Sequence, residues 1–423
     1  MARGALTAVI ALLTLPQAVA APPDFSLVEA RVLQPRDGLP NALAKLEAAE
    51  EVRVAYLGGS ITAASGWRPM TTEWLQESYP QALIVEIDAA IGGTGSPLGV
   101  FRLEQDVLRH EPDLLFVEFA VNDSGQDPLV IWRAMEGIVR QAWRADPAMD
   151  ICFVYTITAS IAPALRDGLC PSAASADEHL AAHYGIPSIN VALPIIQAEA
   201  RGELVIAPSA DAPEGAMVFA DDGVHPTTEG HRLYADTVSE SLTALRGVGA
   251  PGLRELPPPM VEDNWEGARL VPVEPWMLSA GWTKLGDEDD VAPHFTKQMP
   301  EMWEAATPGE SLSFRFRGTT VGLYDILGPD GGQVWVRVDG QERGPIPRFD
   351  SFCSYHRLAP LELASGLPEG VHTVEVTLDA AQPDRSSVTD QVRDEPGFDP
   401  ARYNGTVLRV GAIMLIGEIL PPE

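Results

Sequence analysis

The chain predicts an α/β domain followed by an antiparallel β-sandwich, and three observations carry that expectation. From about residue 52 to 246, short apolar runs alternate with amphipathic stretches. Pro251 and the run Pro257-Pro258-Pro259 then break the pattern. Beyond them the apolar period changes to two. The expected division is a leader over 1–20, an α/β unit over 21–247, a proline-rich linker over 248–275 and a sandwich over 276–423.

Each element follows from its local pattern. Arg3, an apolar stretch from Ala5 to Leu15 and the small-x-small site Ala18-Val19-Ala20 have the form of an export signal, which predicts a secreted or periplasmic protein. Val52–Leu57, Ala82–Asp88, Leu114–Ala120, Ile151–Thr156 and Ser188–Val191 read as strands. Leu98–His110, Leu129–Ala145, Ala173–Tyr184 and Thr228–Leu245 read as helices. Continuous apolar strands alternating with helices imply a parallel sheet covered on both faces. In such sheets reactive groups gather at the carboxyl ends of the strands. Ser60, Gly93 and Asn122 each fall just after one of these strands, so all three can share one rim. In the second half, Leu312, Phe314 and Phe316 alternate with polar residues, as do Val334, Val336 and Val338 and then Val374, Val376 and Leu378. Asp330-Gly331-Gly332 and Asp339-Gly340 supply turns.

The formal net charge of −31 argues against nucleic acid and anionic membrane surfaces as partners. Three cysteines leave at least one thiol free in an exported chain. Cys152 sits in a buried strand, Cys170 and Cys353 sit in loop contexts where they could pair, and no cysteine spacing resembles a metal site.

Four motifs carry chemistry. Gly58-Gly59-Ser60-Ile61-Thr62 puts a serine just past the first strand. Asp222-Gly223-Val224-His225-Pro226 supplies a base and an acid that can orient it. Pro226 disfavours helix at His225, which keeps both side chains in a loop. Ala89-Ala90-Ile91-Gly92-Gly93-Thr94-Gly95-Ser96 and Ala120-Val121-Asn122-Asp123 offer donors for a developing oxyanion: the Ser60 and Gly93 N–H groups and the Asn122 amide. Taken singly, Ser60 could be a helix N-cap, Asn122-Asp123 a turn, and Asp222 the cap of the helix from Thr228. Gly93-x-Gly95-x-x-x-Gly99 follows a strand and opens a helix, as a dinucleotide loop does, but its spacing is wrong. His179 and His183 lack the glutamate of a zinc-binding His-Glu-x-x-His. His110 and His231 carry no partner signal.

In order and content the four blocks resemble those of the SGNH hydrolases, the GDSL-like esterase superfamily. That resemblance implies a flavodoxin-like three-layer sandwich, Ser60, His225 and Asp222 as catalytic triad, Ser60, Gly93 and Asn122 as oxyanion hole, and no metal or organic cofactor. Two positions depart from the family pattern: Gly59 stands where Asp is frequent, and Ala120 where Gly is usual. Gly66-Trp67-Arg68-Pro69 and the Gly92-Gly93 stretch are similar to bacterial polysaccharide acetylesterases, and the second half resembles the jelly-roll modules that accompany them. The implied activity is removal of acetyl groups from an acetylated glycan. Acyl transfer onto a sugar, general short-chain ester hydrolysis and an inactive carbohydrate-binding protein are the alternatives. Trp282, Trp335, Phe352, Tyr355 and His356 could offer a sugar-stacking surface, although aromatic residues in a sandwich are more often core.

Overall fold

A computed structural model describes residues 24–422 except 395, so the expected leader lies outside the described residues. The first half is built on β1 (Leu33–Gln34), β2 (Glu51–Gly58), β3 (Leu83–Asp88), β4 (Leu114–Glu118), β5 (Asp150–Tyr155) and β6 (Ser188–Asn190), in the spatial order β1-β6-β5-β4-β2-β3. β2 to β6 are parallel and follow the flavodoxin-like order. β1 departs from the all-parallel expectation: it pairs antiparallel with β6 and closes that edge. A strand of two residues has too short an apolar run to be read in advance.

Side chains alternate across the sheet and divide the core into two layers. Val52, Val54 and Tyr56 of β2 face a cluster containing residues of α1 (Pro40–Glu47), α3 (Trp67–Ser78), α8 (Ala192–Ala200) and α9 (Thr228–Ala244). Ala55 and Leu57 face the opposite cluster, with α4 (Ser96–Asp106), α5 (Pro128–Ala145) and α7 (Ser172–Tyr184). The remaining elements are α2 (Ser60–Ala63), α6 (Ala162–Arg166) and the small pair β7 (Leu204–Val205) and β8 (Met217–Val218). Helix boundaries have local causes. Asp127 caps α5 by accepting from the Leu129 N–H at 2.8 Å, with Pro128 in its first turn. α7 ends at Gly185, which adopts the left-handed conformation with φ +69°.

The second half comprises β9 (Ala268–Pro272), β10 (Thr283–Lys284), β11 (Trp303–Ala305), β12 (Ser311–Leu327), β13 (Gln333–Val338), β14 (Gln341–Pro347), β15 (Arg357–Ala364), β16 (Gly370–Leu378) and β17 (Leu408–Leu420). The pairings between these strands are antiparallel. The long strand β12 pairs with β16 through its first half and with β15 through its second, changing register near Gly318. The two layers so formed enclose Leu312, Phe314, Phe316, Val334, Val336, Val374 and Val376, which are the expected alternating residues.

The segment 248–275, expected as a linker, is pinned to the first half at several points, with Val261, Trp265, Ala268 and Val273 buried. Its prolines cannot donate, but their carbonyls accept: Pro257 O from Arg140 at 2.9 Å, and Pro258 O lies 2.9 Å from His183 Nε2. Trp265 is buried against α5, where its backbone fills the space a side chain on Gly137 would need, and β9 then joins the second sheet. One apolar cluster runs across both halves, from Ala89, Ile91, Leu98 and Phe101 to Trp265, Tyr324, Ile326, Leu358 and Met414. This shared core holds the sandwich against the rim of the α/β unit.

Candidate active site

The order in which the chain adds strands reverses between β2 and β4, and the residues just past these two parallel strands meet there. Ser60 opens the single turn α2 directly after β2. Three groups hold this turn. Buried Glu118, at the end of β4, accepts the Thr62 hydroxyl at 2.8 Å and the Thr156 hydroxyl at 2.7 Å, tying α2 to β4 and β5. Buried Arg68 donates from Nε to Thr62 O at 3.1 Å and pairs with Glu86 and Asp88 of β3. Ile91 N–H donates to Gly58 O at 3.0 Å, bringing the Gly92-Gly93 loop alongside.

Ser60 Oγ lies 2.9 Å from His225 Nε2, and His225 Nδ1 lies 2.7 Å from Asp222 Oδ2. Asp222 Oδ1 also accepts the N–H groups of Val224 at 2.8 Å and His225 at 2.7 Å. Partial burial opposes its ionisation, but the His225 ring and these two N–H groups outweigh that and lower its pKa to about 2. A carboxylate on Nδ1 keeps the proton there and leaves the Nε2 lone pair for the serine hydroxyl. Asp222 is free for this because Thr227 caps α9, its side chain accepting from Gly230 N–H.

Asn122 and the Gly92-Gly93 loop also lie close to Ser60. A methyl group on Gly59 would fall 1.8 Å from Asn122 Oδ1, so the Asn122 amide lies against the Gly59 backbone beside Ser60. Gly59 therefore makes room for Asn122. A methyl on Gly92 would lie 3.6 Å from Ser60 Cβ, and exposed Gly93 follows it with φ +73°. All five sequence-predicted residues thus lie around one rim. It is open: the His225 and Asp222 side chains are 51% and 55% exposed.

Three contributors were not legible in advance. Glu118 reads only as one charged residue inside the apolar run Leu114–Ala120. His231 is buried beneath Gly66 and Trp67, its Nδ1 accepting the Trp67 N–H at 3.3 Å, and burial lowers its pKa to about 4. Arg357 comes from β15, and a methyl on Gly93 would lie 3.7 Å from its Nη1. No sequence signal ties a residue of the sandwich to this rim.

The decoys have packing explanations. Asp123 Oδ1 accepts from Ser96 N–H at 3.0 Å and occupies the space beside Gly95, while Gly99 faces the Phe119 ring. The start of α4 therefore already holds a carboxylate. His179 and His183 reach the carbonyls of Ser26 and Pro258. Cys170 and Cys353 do not pair; both are buried and free, as is Cys152. Of the aromatic candidates, Trp282 is core and His356 is tied to Asp330 at 2.9 Å, whereas Phe352 and Tyr355 are 65% and 57% exposed. Among the described residues no cluster of three or more His, Cys, Asp or Glu could hold a metal, and no helix is long and apolar enough to cross a membrane.

Two substitutions test how this rim is held. Burial raises the Glu118 pKa from the ordinary 4.5 to about 7, against the hydrogen bonds from Thr156, Thr62 and Gly59. The folded state then holds the proton more tightly than the unfolded chain, so stability falls as pH rises from 4.5 to 7 and stays reduced above that. The window corresponds to about 3 kcal/mol. Glu118→Gln is expected to flatten that part of the profile, read as the wild-type-minus-variant difference in thermal unfolding against pH. An unchanged slope would remove Glu118 from the titration. Gly59→Ala should displace Asn122 and lower kcat about 10²–10³-fold, the scale of losing one oxyanion donor. Wild-type turnover in that variant would show that Asn122 makes no such contribution.

Residues 56–233 match the sequence model of the GDSL-like lipase/acylhydrolase family. Among solved structures, a two-domain esterase active on acetylated mannans, co-crystallised with mannopentaose, is similar over 92% of this chain and 98% of its own, with a TM-score of 0.69 at 20% identity. A second structure with the same two-domain description matches over 92% of this chain and 100% of its own, with a TM-score of 0.68 at 19% identity. At that identity the likeness establishes the shared two-domain fold. No curated protein matches the sequence.

Proposed function

We propose that this chain, whose residues 56–233 match the sequence model of the GDSL-like lipase/acylhydrolase family, is a serine esterase that removes acetyl groups from a carbohydrate. The observation that carries the reading is the continuous hydrogen-bonded line from Ser60 Oγ through His225 to Asp222, with Asn122 against the Gly59 backbone and the Gly92-Gly93 loop beside the serine.

In this mechanism His225 Nε2 takes the hydroxyl proton as Ser60 Oγ attacks the acetyl carbonyl. Asp222 stabilises the imidazolium that forms. The carbonyl oxygen becomes an oxyanion between the N–H groups of Ser60 and Gly93 and the Asn122 amide. Collapse expels the sugar alkoxide, which leaves with the proton from His225. Water, deprotonated by the same nitrogen, then attacks the acetyl-serine and releases acetate.

Two features support a glycan rather than a small ester. The rim is open, as access to a polymer side group requires. The whole two-domain architecture parallels an esterase described as active on acetylated mannans. Export, read from the Ala5–Leu15 stretch and the Ala18-Val19-Ala20 site, would bring the enzyme to extracellular polysaccharide.

The test is acetate release from acetylated mannan, xylan and a small aryl acetate by wild type and Ser60→Ala. Serine-dependent release from a glycan supports the reading. Release from the aryl ester alone would reject the glycan, and activity surviving in Ser60→Ala would reject the nucleophile.

A further inference from the structure

The second domain reaches the rim at one point. Arg357 begins β15, and Leu358 beside it is buried in the core shared by the two halves. Its guanidinium is clamped on one edge, where Nη2 donates to Asp350. Asp350 is itself fixed by its turn: Oδ1 accepts the Phe352 N–H at 2.9 Å, and its own N–H donates to Cys353 Sγ at 3.2 Å. The guanidinium carbon lies 5.9 Å from the Phe352 ring centre. The Arg357 side chain is only 15% exposed, and Nε is buried without a partner among the described residues. With one edge held, Nη1 is the atom nearest the position a methyl on Gly93 would take, at 3.7 Å.

A purely structural ion pair would not need this placement. The same loop leaves two large aromatic side chains in solvent, Phe352 at 65% and Tyr355 at 57% exposure. Exposed rings beside a preorganised donor match what a pyranose requires: an apolar face to stack on and a charged N–H for its hydroxyl oxygens.

We propose that Arg357 is a specificity-determining residue supplied by the second domain, its Nη1 donating to a hydroxyl oxygen of the sugar that bears the acetyl group. Phe352 and Tyr355 give the adjoining sugar face its surface. This rests on the esterase reading above and deepens it: the α/β unit supplies the chemistry, and the loop at 350–357 selects a glycan ester over a simple one.

The test uses the full chain and Arg357→Met, which keeps the aliphatic stem over Phe352, with Arg357→Lys restoring the charge; thermal unfolding confirms that each folds. In the wild-type background, kcat/KM is measured on acetylated mannooligosaccharides and on an aryl acetate. In the Ser60→Ala background, calorimetry gives Kd for the same oligosaccharides. A charge-assisted hydrogen bond predicts that Arg357→Met lowers the glycan-to-aryl ratio of kcat/KM about tenfold or more, chiefly through KM, and weakens Kd in proportion. Lys recovers part of both. A ratio and a Kd that stay within about twofold of their parents overturn the proposal, as does a parallel fall on both substrates, and so does undetectable binding by the Ser60→Ala parent. Binding that depends on Arg357 without any acetate release would instead overturn the esterase reading alone.

Discussion

Replacing Ser60 by alanine is expected to lower kcat about 10⁶-fold while leaving the fold intact. The side chain lies at a half-buried rim and its hydroxyl bonds to His225, so its loss opens no apolar cavity. The turn that carries it stays tied through Thr62, Glu118 and Arg68, none of which touches the Ser60 hydroxyl. What should remain is the rate that the oxyanion donors and His225 give to direct attack by water. In related arrangements such remnants are about 10³–10⁴ above the uncatalysed reaction. Unfolding curves that superpose, with turnover lost, would separate chemistry from stability. A residual rate within tenfold of wild type would mean that another group makes the attack.

Asp222→Asn should have the next largest effect, a fall in kcat of about 10⁴-fold with little change in KM. Asparagine can keep its carbonyl oxygen on the Val224 and His225 N–H groups. Its amide then faces His225 Nδ1 as a donor, which drives the ring proton to Nε2. In that tautomer the ring offers no lone pair to Ser60. The imidazolium formed during attack also loses its counter-charge. The carboxyl pKa of about 2 adds a condition on pH: Asp222 stays ionised until the solution is strongly acidic, so loss of activity above that range must come from another group. The same sign holds for stability, since a depressed carboxyl contributes above its ordinary value of 3.8 and is lost as pH falls toward 2. Kinetics on a soluble acetate ester across pH would check both statements. An unchanged kcat would remove Asp222 from the relay.

Much of this site was legible because its residues sit where regular structure ends. Ser60, Gly93 and Asn122 follow strands whose apolar runs are unambiguous, and Asp222 and His225 lie three residues apart before a proline. The elements that escaped prediction have weaker signatures. α3 buries Trp67, Arg68, Thr71 and Leu75, a face that includes a charge and a hydroxyl, so its pattern does not read as apolar. In α8 a nearly continuous apolar run hides the helical period. The prolines at 257–259 signalled a break in secondary structure, which they are. Whether such a break is a free tether or a packed strap depends on Arg140, His183 and Trp265, and no local pattern records those contacts. Arg357 is the sharpest case. Its place beside Gly93 follows from a core shared between two domains, and β15 by itself gives no hint of it.

The central claim is that Ser60 takes the acyl group. Acid-quenching the enzyme within the first turnovers on an aryl acetate, then mapping the peptides by mass spectrometry, tests it most directly. The account predicts one added acetyl group on the peptide containing Ser60, absent from Ser60→Ala and accumulating in Asp222→Asn if deacylation is slowed more than acylation. An acetyl group on any other residue of an active enzyme, or turnover that never passes through a covalent adduct, would contradict it.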